Sequence, residues 1–133
     1  MAKKQAMPRL SAGEIEIMGM LWDRGPVTLA EAHQALAARR PIGYTTIQTR
    51  LNRLVAKGVV GRSRQRPARY EALVAADKVG VRHIDVLLEK IRGLEVVPLV
   101  AHLLRDRGLS PAEVAALKDL ITEAEESLME RQR

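Results

Sequence analysis

The chain has 133 residues, of which 47% are hydrophobic and 29% are charged, with a formal net charge of +6 at pH 7. This balance is typical of a folded globular protein, and the absence of cysteine excludes disulfide scaffolds, thiolate metal sites and cysteine nucleophiles. No apolar run approaches the roughly 18 residues of a membrane span, and the N-terminus lacks the apolar stretch of a signal peptide, so we expect a cytoplasmic protein.

Two capping boxes predict the first two helices. The segments Ser11–Glu14 and Thr28–Glu31 each have the pattern Ser/Thr-x-x-Glu, in which the hydroxyl accepts from a backbone N–H and the glutamate accepts from the amide of the cap residue. Apolar residues follow each box at helical spacing, while Gly25 and Pro41 lie near the predicted ends. The second helix is rich in alanine, which permits close packing.

The segment Thr45–Gly58, with the sequence TTIQTRLNRLVAKG, predicts a third helix. Its apolar residues Ile47, Leu51 and Leu54 fall on one side, and the glycine is well placed as a C-terminal cap. Two short strands are predicted at residues 59–60 and 70–73, because apolar residues there flank a polar, turn-forming segment. Three helices and a basic hairpin result.

Three more helices are predicted in the second half of the chain, beginning near Asp77, Val96 and Ser110. The last has the strongest start signal, since it combines a cap, a proline at the first helical position and a capping-box glutamate. A tail this short seldom buries enough apolar surface alone, so we expect it to pair with a second copy of the chain. The residues expected at that interface are Leu87, Leu88, Ile91, Leu99, Leu103, Leu104, Leu117, Leu120 and Ile121.

The charge is divided unevenly along the sequence. Residues 1–76 contain 13 Lys/Arg and 5 Asp/Glu, whereas residues 77–133 contain 9 and 11. No acidic residue occurs between Glu31 and Glu71, an interval that we call the acid-free interval. Its cations are Arg39, Arg40, Arg50, Arg53, Lys57, Arg62, Arg64, Arg66 and Arg69. Because exposed surfaces usually mix both signs, this interval indicates a polyanionic partner, with nucleic acid the leading candidate.

The outward face of the third helix carries donors and acceptors but no carboxylate. An α-helix fits the DNA major groove, where such side chains reach base edges, and a basic hairpin can hold the phosphate backbone or adjacent minor groove. We therefore predict DNA contacts from the helix residues Thr45, Thr46, Gln48, Thr49, Arg50 and Arg53 and from the hairpin residues Arg62, Arg64, Arg66 and Arg69.

Structural alternatives exist for several of these residues. A polar helix face is often simply solvated, and Thr45 or Thr46 would be suited to cap the third helix. Arg39 and Arg40 would suit a helix C-terminus, where positive charge interacts favourably with the helix dipole. The order of three helices and a basic hairpin nevertheless favours duplex DNA.

These residues resemble the BlaI/MecI/CopY penicillinase-repressor type of winged-helix regulators, most specifically in the segment TTIQTRLNRLVAKG. The resemblance extends from LSAGEIEIMGMLWDRG to the C-terminal helices. It implies a mainly α-helical protein with a small β-hairpin, a winged helix-turn-helix DNA-binding domain over residues 1–76 and a three-helix dimerisation domain over residues 77–133. It further implies a homodimeric repressor on a palindromic operator, controlling antibiotic-resistance or stress-response genes.

The resemblance also implies a route of inactivation. Family members are inactivated when a membrane sensor triggers cleavage in the helix that corresponds to residues 98–107, which places the equivalent bond near His102–Leu103. This pair differs from the Asn-Phe of the familiar members, and the cysteine cluster of copper-responsive members is missing. A sensor-linked protease is therefore an expected partner, whereas copper sensing is not expected.

Other functional classes have little support in the sequence. The three histidines, His33, His83 and His102, show no spacing expected of zinc ligands, and no serine has a nucleophile-elbow context, so we expect no metal, no cofactor and no enzyme activity. Aromatic content of only 2% argues against RNA stacking platforms. The alternative function is a winged-helix module that binds an acidic protein through its basic face.

Overall fold

The computed structural model describes residues 7–133. The described residues form six helices and three short strands. The helices are α1 (Ala12–Arg24), α2 (Leu29–Ala37), α3 (Tyr44–Ala56), α4 (Ala76–Lys90), α5 (Val96–Asp106) and α6 (Pro111–Arg131). The strands are β1 (Val27–Thr28), β2 (Val60–Arg62) and β3 (Arg69–Ala72), and the elements follow one another in the order α1-β1-α2-α3-β2-β3-α4-α5-α6. The predicted mainly α-helical fold with a small β-hairpin is confirmed.

All three predicted capping boxes are present. In α1 the Ser11 hydroxyl accepts from the backbone N–H of Glu14, and the glutamate carboxylate accepts from the backbone N–H of Ser11. The same reciprocal pair of bonds begins α2 and α6. These helix starts depend on residues only three positions apart, so the local sequence is sufficient to determine them.

The sheet contains one strand, β1, that the sequence does not predict. Its order is β1-β3-β2, with both pairs antiparallel, and β1 pairs Val27 with Tyr70 and Thr28 with Arg69. The hairpin formed by β2 and β3 is the wing. Because β1 ends at the cap residue of α2, this added strand attaches the wing to the start of the helix-turn-helix.

The core of the N-terminal part lies between α1, α2, α3 and the wing. Ile17 and Met18 from α1 and Ile47, Leu51 and Leu54 from α3 have no exposed surface. The side chain of Trp22 donates from Nε1 to the carbonyl oxygen of Val74, at 2.8 Å. The packed face of α3 thus holds its opposite face toward solvent.

The chain forms two compact units, which meet in sequence between Lys90 and Ile91. The first therefore includes α4, because Val79 joins the core and Val86 is also buried. The predicted division into a DNA-binding domain over residues 1–76 and a dimerisation domain over residues 77–133 stays a prediction. The helix that carries Leu87 and Leu88 belongs to the first unit.

The second unit consists of α5 and α6, and neither helix contains a buried residue. An apolar groove runs between the two helices, lined mainly by Val100, Leu103, Leu104, Leu117 and Leu120. We call it the tail groove. A helix pair without any buried side chain gains little free energy from packing on its own.

Candidate nucleic-acid interface

The outward face of α3 is the centre of the candidate interface. Its N-cap is Gly43, and no side chain caps the helix, so the capping alternative for Thr45 and Thr46 is not what the structure shows. Three threonines and two arginines line a shallow depression on this surface: Thr45, Thr46, Thr49, Arg50 and Arg53. Gln48 is exposed beside them. Five of the six predicted recognition residues of α3 therefore line one depression, and the sixth, Gln48, is exposed on the same helix.

Arg50 differs from its neighbours, because its guanidinium packs over the first turn of α1. A Cβ atom built on Gly13 would lie only 2.5 Å from Cζ of Arg50. The Nη1 atom of Arg50 is buried and has no hydrogen-bond partner among the described residues. The absence of a side chain at Gly13 thus provides the space that holds this arginine against α1, at the edge of the depression.

The four arginines of the wing fall into two pairs. Arg62 lies over the ring of Tyr70, with Cζ 5.8 Å from the ring centroid. Arg69 lies 3.4 Å from the carbonyl oxygen of Pro26 and 3.6 Å from a carboxylate oxygen of Glu31, both measured from Nη1. Arg64 and Arg66 are exposed at the wing tip, where the described residues provide no ion pair for them. Among the four wing arginines, only Arg64 and Arg66 are therefore exposed without a partner among the described residues.

Three carboxylates from outside the acid-free interval, or from its edge, pair with cations inside it. Glu16 receives two hydrogen bonds from Arg40, at 2.7 and 3.2 Å, and Glu31 lies near Arg69. Glu14 accepts from Nζ of Lys57 at 2.7 Å. Arg40 therefore forms an ion pair with another helix and does not act only at the end of α2. The positive charge of the acid-free interval is partly neutralised in the folded chain.

The pair formed by Glu14 and Lys57 connects the start of α1 to the end of α3. The Glu14 side chain is only 5% exposed, whereas that of Lys57 is 32% exposed. Burial raises the pKa of Glu14, but hydrogen bonds from Lys57 and Ser11 outweigh that effect and hold the pKa below the ordinary glutamate value. Lys57 also donates to the carbonyl oxygen of Arg9 at 2.9 Å, so the lysine anchors three segments of chain.

The sequence does not predict these pairs. A capping box alone accounts for Glu14, and nothing in its local sequence indicates the lysine far along the chain. Tyr44 was also missed: it is an exposed aromatic residue at the start of α3, and its ring makes an edge contact with His33, with ring centroids 5.6 Å apart. The signal for Tyr44 was available, since it immediately precedes the predicted recognition residues.

The predicted interface residues of the tail are accessible in the single chain. Leu87, Leu88 and Ile91 are exposed, as are Leu103, Leu104, Leu120 and Ile121, while Leu99 and Leu117 are half-buried. The dimer itself stays a prediction at this point. The exposed apolar residues supply the kind of surface on which a second chain could pack.

The candidate cleavage position in α5 contains a contact between two polar side chains that the sequence does not predict. Nδ1 of His102 lies 2.7 Å from a carboxylate oxygen of Asp106, one helical turn later, and both side chains are well exposed. The described residues contain no group of three or more potential metal-ligating side chains. None of the described helices is long and apolar enough to cross a membrane.

A family model described as penicillinase repressor matches residues 10–123. The transcriptional regulator BlaI of Mycobacterium tuberculosis is 39% identical over 75 residues, which cover 55% of this chain and 54% of that protein. The chain thus spans about half the length of this relative. The penicillinase repressor of Staphylococcus aureus is 23% identical over 124 residues, covering 92% of this chain and 97% of its own length.

Among solved structures, one similar to this chain is the monomeric form of Bacillus licheniformis BlaI in complex with the blaP half-operator. It is 26% identical, has a TM-score of 0.48, and covers 54% of this chain and 89% of its own.

Proposed function

This chain belongs to the penicillinase repressor family, and from that premise we propose that it is a sequence-specific DNA-binding transcriptional repressor that acts as a homodimer on a palindromic operator. The observation that carries the proposal is the outward face of α3. It presents threonines, Gln48 and Arg53 without a carboxylate, and a fully buried apolar face holds it in place.

The helix and the wing would have different tasks. Thr46 and Thr49 have methyl and hydroxyl groups suited to base edges in the major groove, and Gln48 can form a bidentate pair with adenine. Arg64 and Arg66 at the wing tip suit phosphate contacts, which position the protein without reading sequence. Base preference would therefore reside in α3, while the wing would supply much of the salt-dependent affinity.

Dimerisation is proposed through the tail groove and the exposed apolar residues near it. The second unit contains no buried side chain, so its leucines need a further surface to leave water. A second copy of the same unit supplies matching leucines, and a two-fold dimer would place two copies of α3 on the two half-sites of an operator.

The decisive experiment selects genomic fragments with the purified protein and sequences them, followed by salt titration on the selected duplex. We expect a symmetric motif with half-sites about one helical turn apart and a log–log salt slope on the order of −6 to −10 for a dimer. Failure to retain any duplex at low salt would refute DNA binding. In that case, capture of an acidic protein partner by the basic face would support the alternative module.

The dimer has its own test in the substitution Leu120→Asp. An unpaired carboxylate in an apolar interface costs several kcal/mol, so we expect a monomer in sedimentation and weakened operator binding. Thr122→Asp adds the same charge at an exposed position on the same helix and should remain dimeric. A dimeric L120D protein would place the interface elsewhere.

Relief of repression by a membrane sensor-linked protease is part of the proposal, with cleavage near His102–Leu103 in α5. Both side chains are exposed, which is a requirement for access by a protease. A cytoplasmic location belongs to the same proposal, because the operator must be within reach. Limited proteolysis in cells under induction, followed by mass spectrometry of the fragments, tests the cleavage; intact protein in derepressed cells would contradict it.

A further inference from the structure

Glu16 is a partly exposed carboxylate of α1 whose hydrogen-bond partner and nearest stabilising charges are arginines. On α1 it accepts two hydrogen bonds from the guanidinium of Arg40, which lies in the turn leading to α3. Arg39 and Arg50 are also close enough for their charges to stabilise its ionised form, and the hydrogen bond from Arg40 is the largest cause that lowers the pKa of Glu16. One acid is thus hydrogen-bonded to one arginine and stabilised by the charges of two more.

This cluster adjoins the recognition surface. Arg50 belongs to α3 and lines the depression together with Thr46 and Arg53, while its guanidinium rests on the first turn of α1 at Gly13. Glu16 lies one turn further along the same helix. The carboxylate therefore occupies the border of the surface that would face DNA.

A carboxylate that receives two N–H bonds from one arginine occupies the geometry that a phosphate would use. Arginine binds both groups through parallel hydrogen bonds, so one Arg40 guanidinium cannot serve Glu16 and a phosphate fully at once. The pair is exposed, with 52% of the Arg40 side chain and 30% of the Glu16 side chain accessible, so exchange of partners requires no opening of the core.

We propose that Glu16 is an internal competitor for DNA phosphate that holds Arg40 in the free protein and thereby lowers affinity for any duplex. The proposal rests on the proposed DNA-binding function. Because phosphate contacts carry no sequence information, removing the competitor should strengthen binding to operator and random DNA by the same factor and leave the ratio of the two affinities unchanged. Glu16 would thus set the overall strength of binding.

The test is Glu16→Gln in the full chain, with binding measured by fluorescence anisotropy on the selected operator and on a random duplex. Release of one arginine in each protomer should tighten both affinities about threefold to tenfold at low salt. The log–log salt slope should become steeper by about two for a dimer, since each new phosphate contact contributes roughly 0.9.

Two further variants make the result specific. Asp23→Asn removes the same charge from the exposed far end of α1, roughly 10 Å along the helix, and should leave the slope unchanged. In an Arg40→Ala background the gain from E16Q should disappear, because the arginine that it would release is absent. Thermal unfolding of each variant verifies the fold.

An E16Q protein that binds no more tightly than D23N would overturn the proposal, and so would a gain that persists without Arg40. These outcomes differ from failure of the proposed function, in which the unmodified chain itself would bind no duplex. If E16Q lost stability, Glu16→Ser would replace it, since any neutral residue at this position should release Arg40.

Discussion

The pair formed by Glu14 and Lys57 predicts a large loss of stability for Lys57→Met. Removing one partner of a fully buried ion pair costs about 3–5 kcal/mol, because the remaining charge stays desolvated. Glu14 is almost fully buried, but Lys57 is 32% exposed, so water would reach part of the site. We therefore expect a loss of about 2–3 kcal/mol in the free energy of unfolding, or about 10–20 °C in melting temperature for a unit of this size.

Urea denaturation followed by tryptophan fluorescence measures this loss. Trp22 is the sole tryptophan, and its indole bonds to Val74 within the first unit, so its emission reports the unfolding of that unit. Lys57→Arg keeps the positive charge, so its free energy of unfolding should fall by less than that of Lys57→Met. Lys90→Met removes an exposed cation from the end of α4 and should stay within about 0.5 kcal/mol of the unmodified chain.

The same measurement has a defined pH dependence. The pKa of Glu14 is lowered in the folded chain, so the pair contributes stability above the ordinary glutamate pKa and loses it as the pH falls through the folded value. The difference between the unmodified chain and K57M should therefore be full at pH 7 and shrink below about pH 4. A K57M protein as stable as the K90M control at pH 7 would refute the role assigned to this pair.

Three other predictions concern the interface and the residues that support it. Thr49→Ala should cost roughly 1–3 kcal/mol on the operator and less on random duplex, measured by anisotropy; equal losses would exclude base contact. Arg64→Ala should weaken both duplexes alike and reduce the salt slope by about one per protomer, and an unchanged slope would remove the wing tip from the interface. In an Arg50→Ala protein, Gly13→Ala should raise the free energy of unfolding by up to about 1 kcal/mol through helix propensity. In the unmodified chain the gain should be smaller, because the new methyl group would displace the Arg50 guanidinium. Additive effects of the two substitutions in urea denaturation would contradict a contact between residues 13 and 50.

The sequence was sufficient for those parts of the fold that depend on near neighbours. Capping boxes place the starts of α1, α2 and α6, since each bond spans only three residues. Strand β1 was missed because two residues, Val27 and Thr28, become a strand only through pairing with Tyr70 and Arg69. Likewise, α4 joins the first unit through burial of Val79 in a distant core, which its own periodicity does not indicate.

In the candidate interface, too, the sequence predicts what depends on near neighbours and does not predict what depends on distant contacts. The outward face of α3 follows from helical periodicity, because three buried residues define the opposite face. The placement of Arg50 does not follow, since it depends on space above Gly13 in another helix. The two pairs of wing arginines also look alike in sequence, yet only the folded wing brings Arg62 over Tyr70 and Arg69 beside Glu31.

Charge counted along the chain therefore overstates the charge offered to DNA. If all nine cations of the acid-free interval contacted phosphate, a dimer would show a salt slope of about −16. Pairing occupies Arg40, Lys57 and Arg69, while Arg50 and Arg62 pack on the protein itself. Four cations per protomer remain, which corresponds to about −7 for the dimer. A measured slope near −16 would mean that the internal pairs open on DNA, whereas a value near −7 would mean that they persist in the complex.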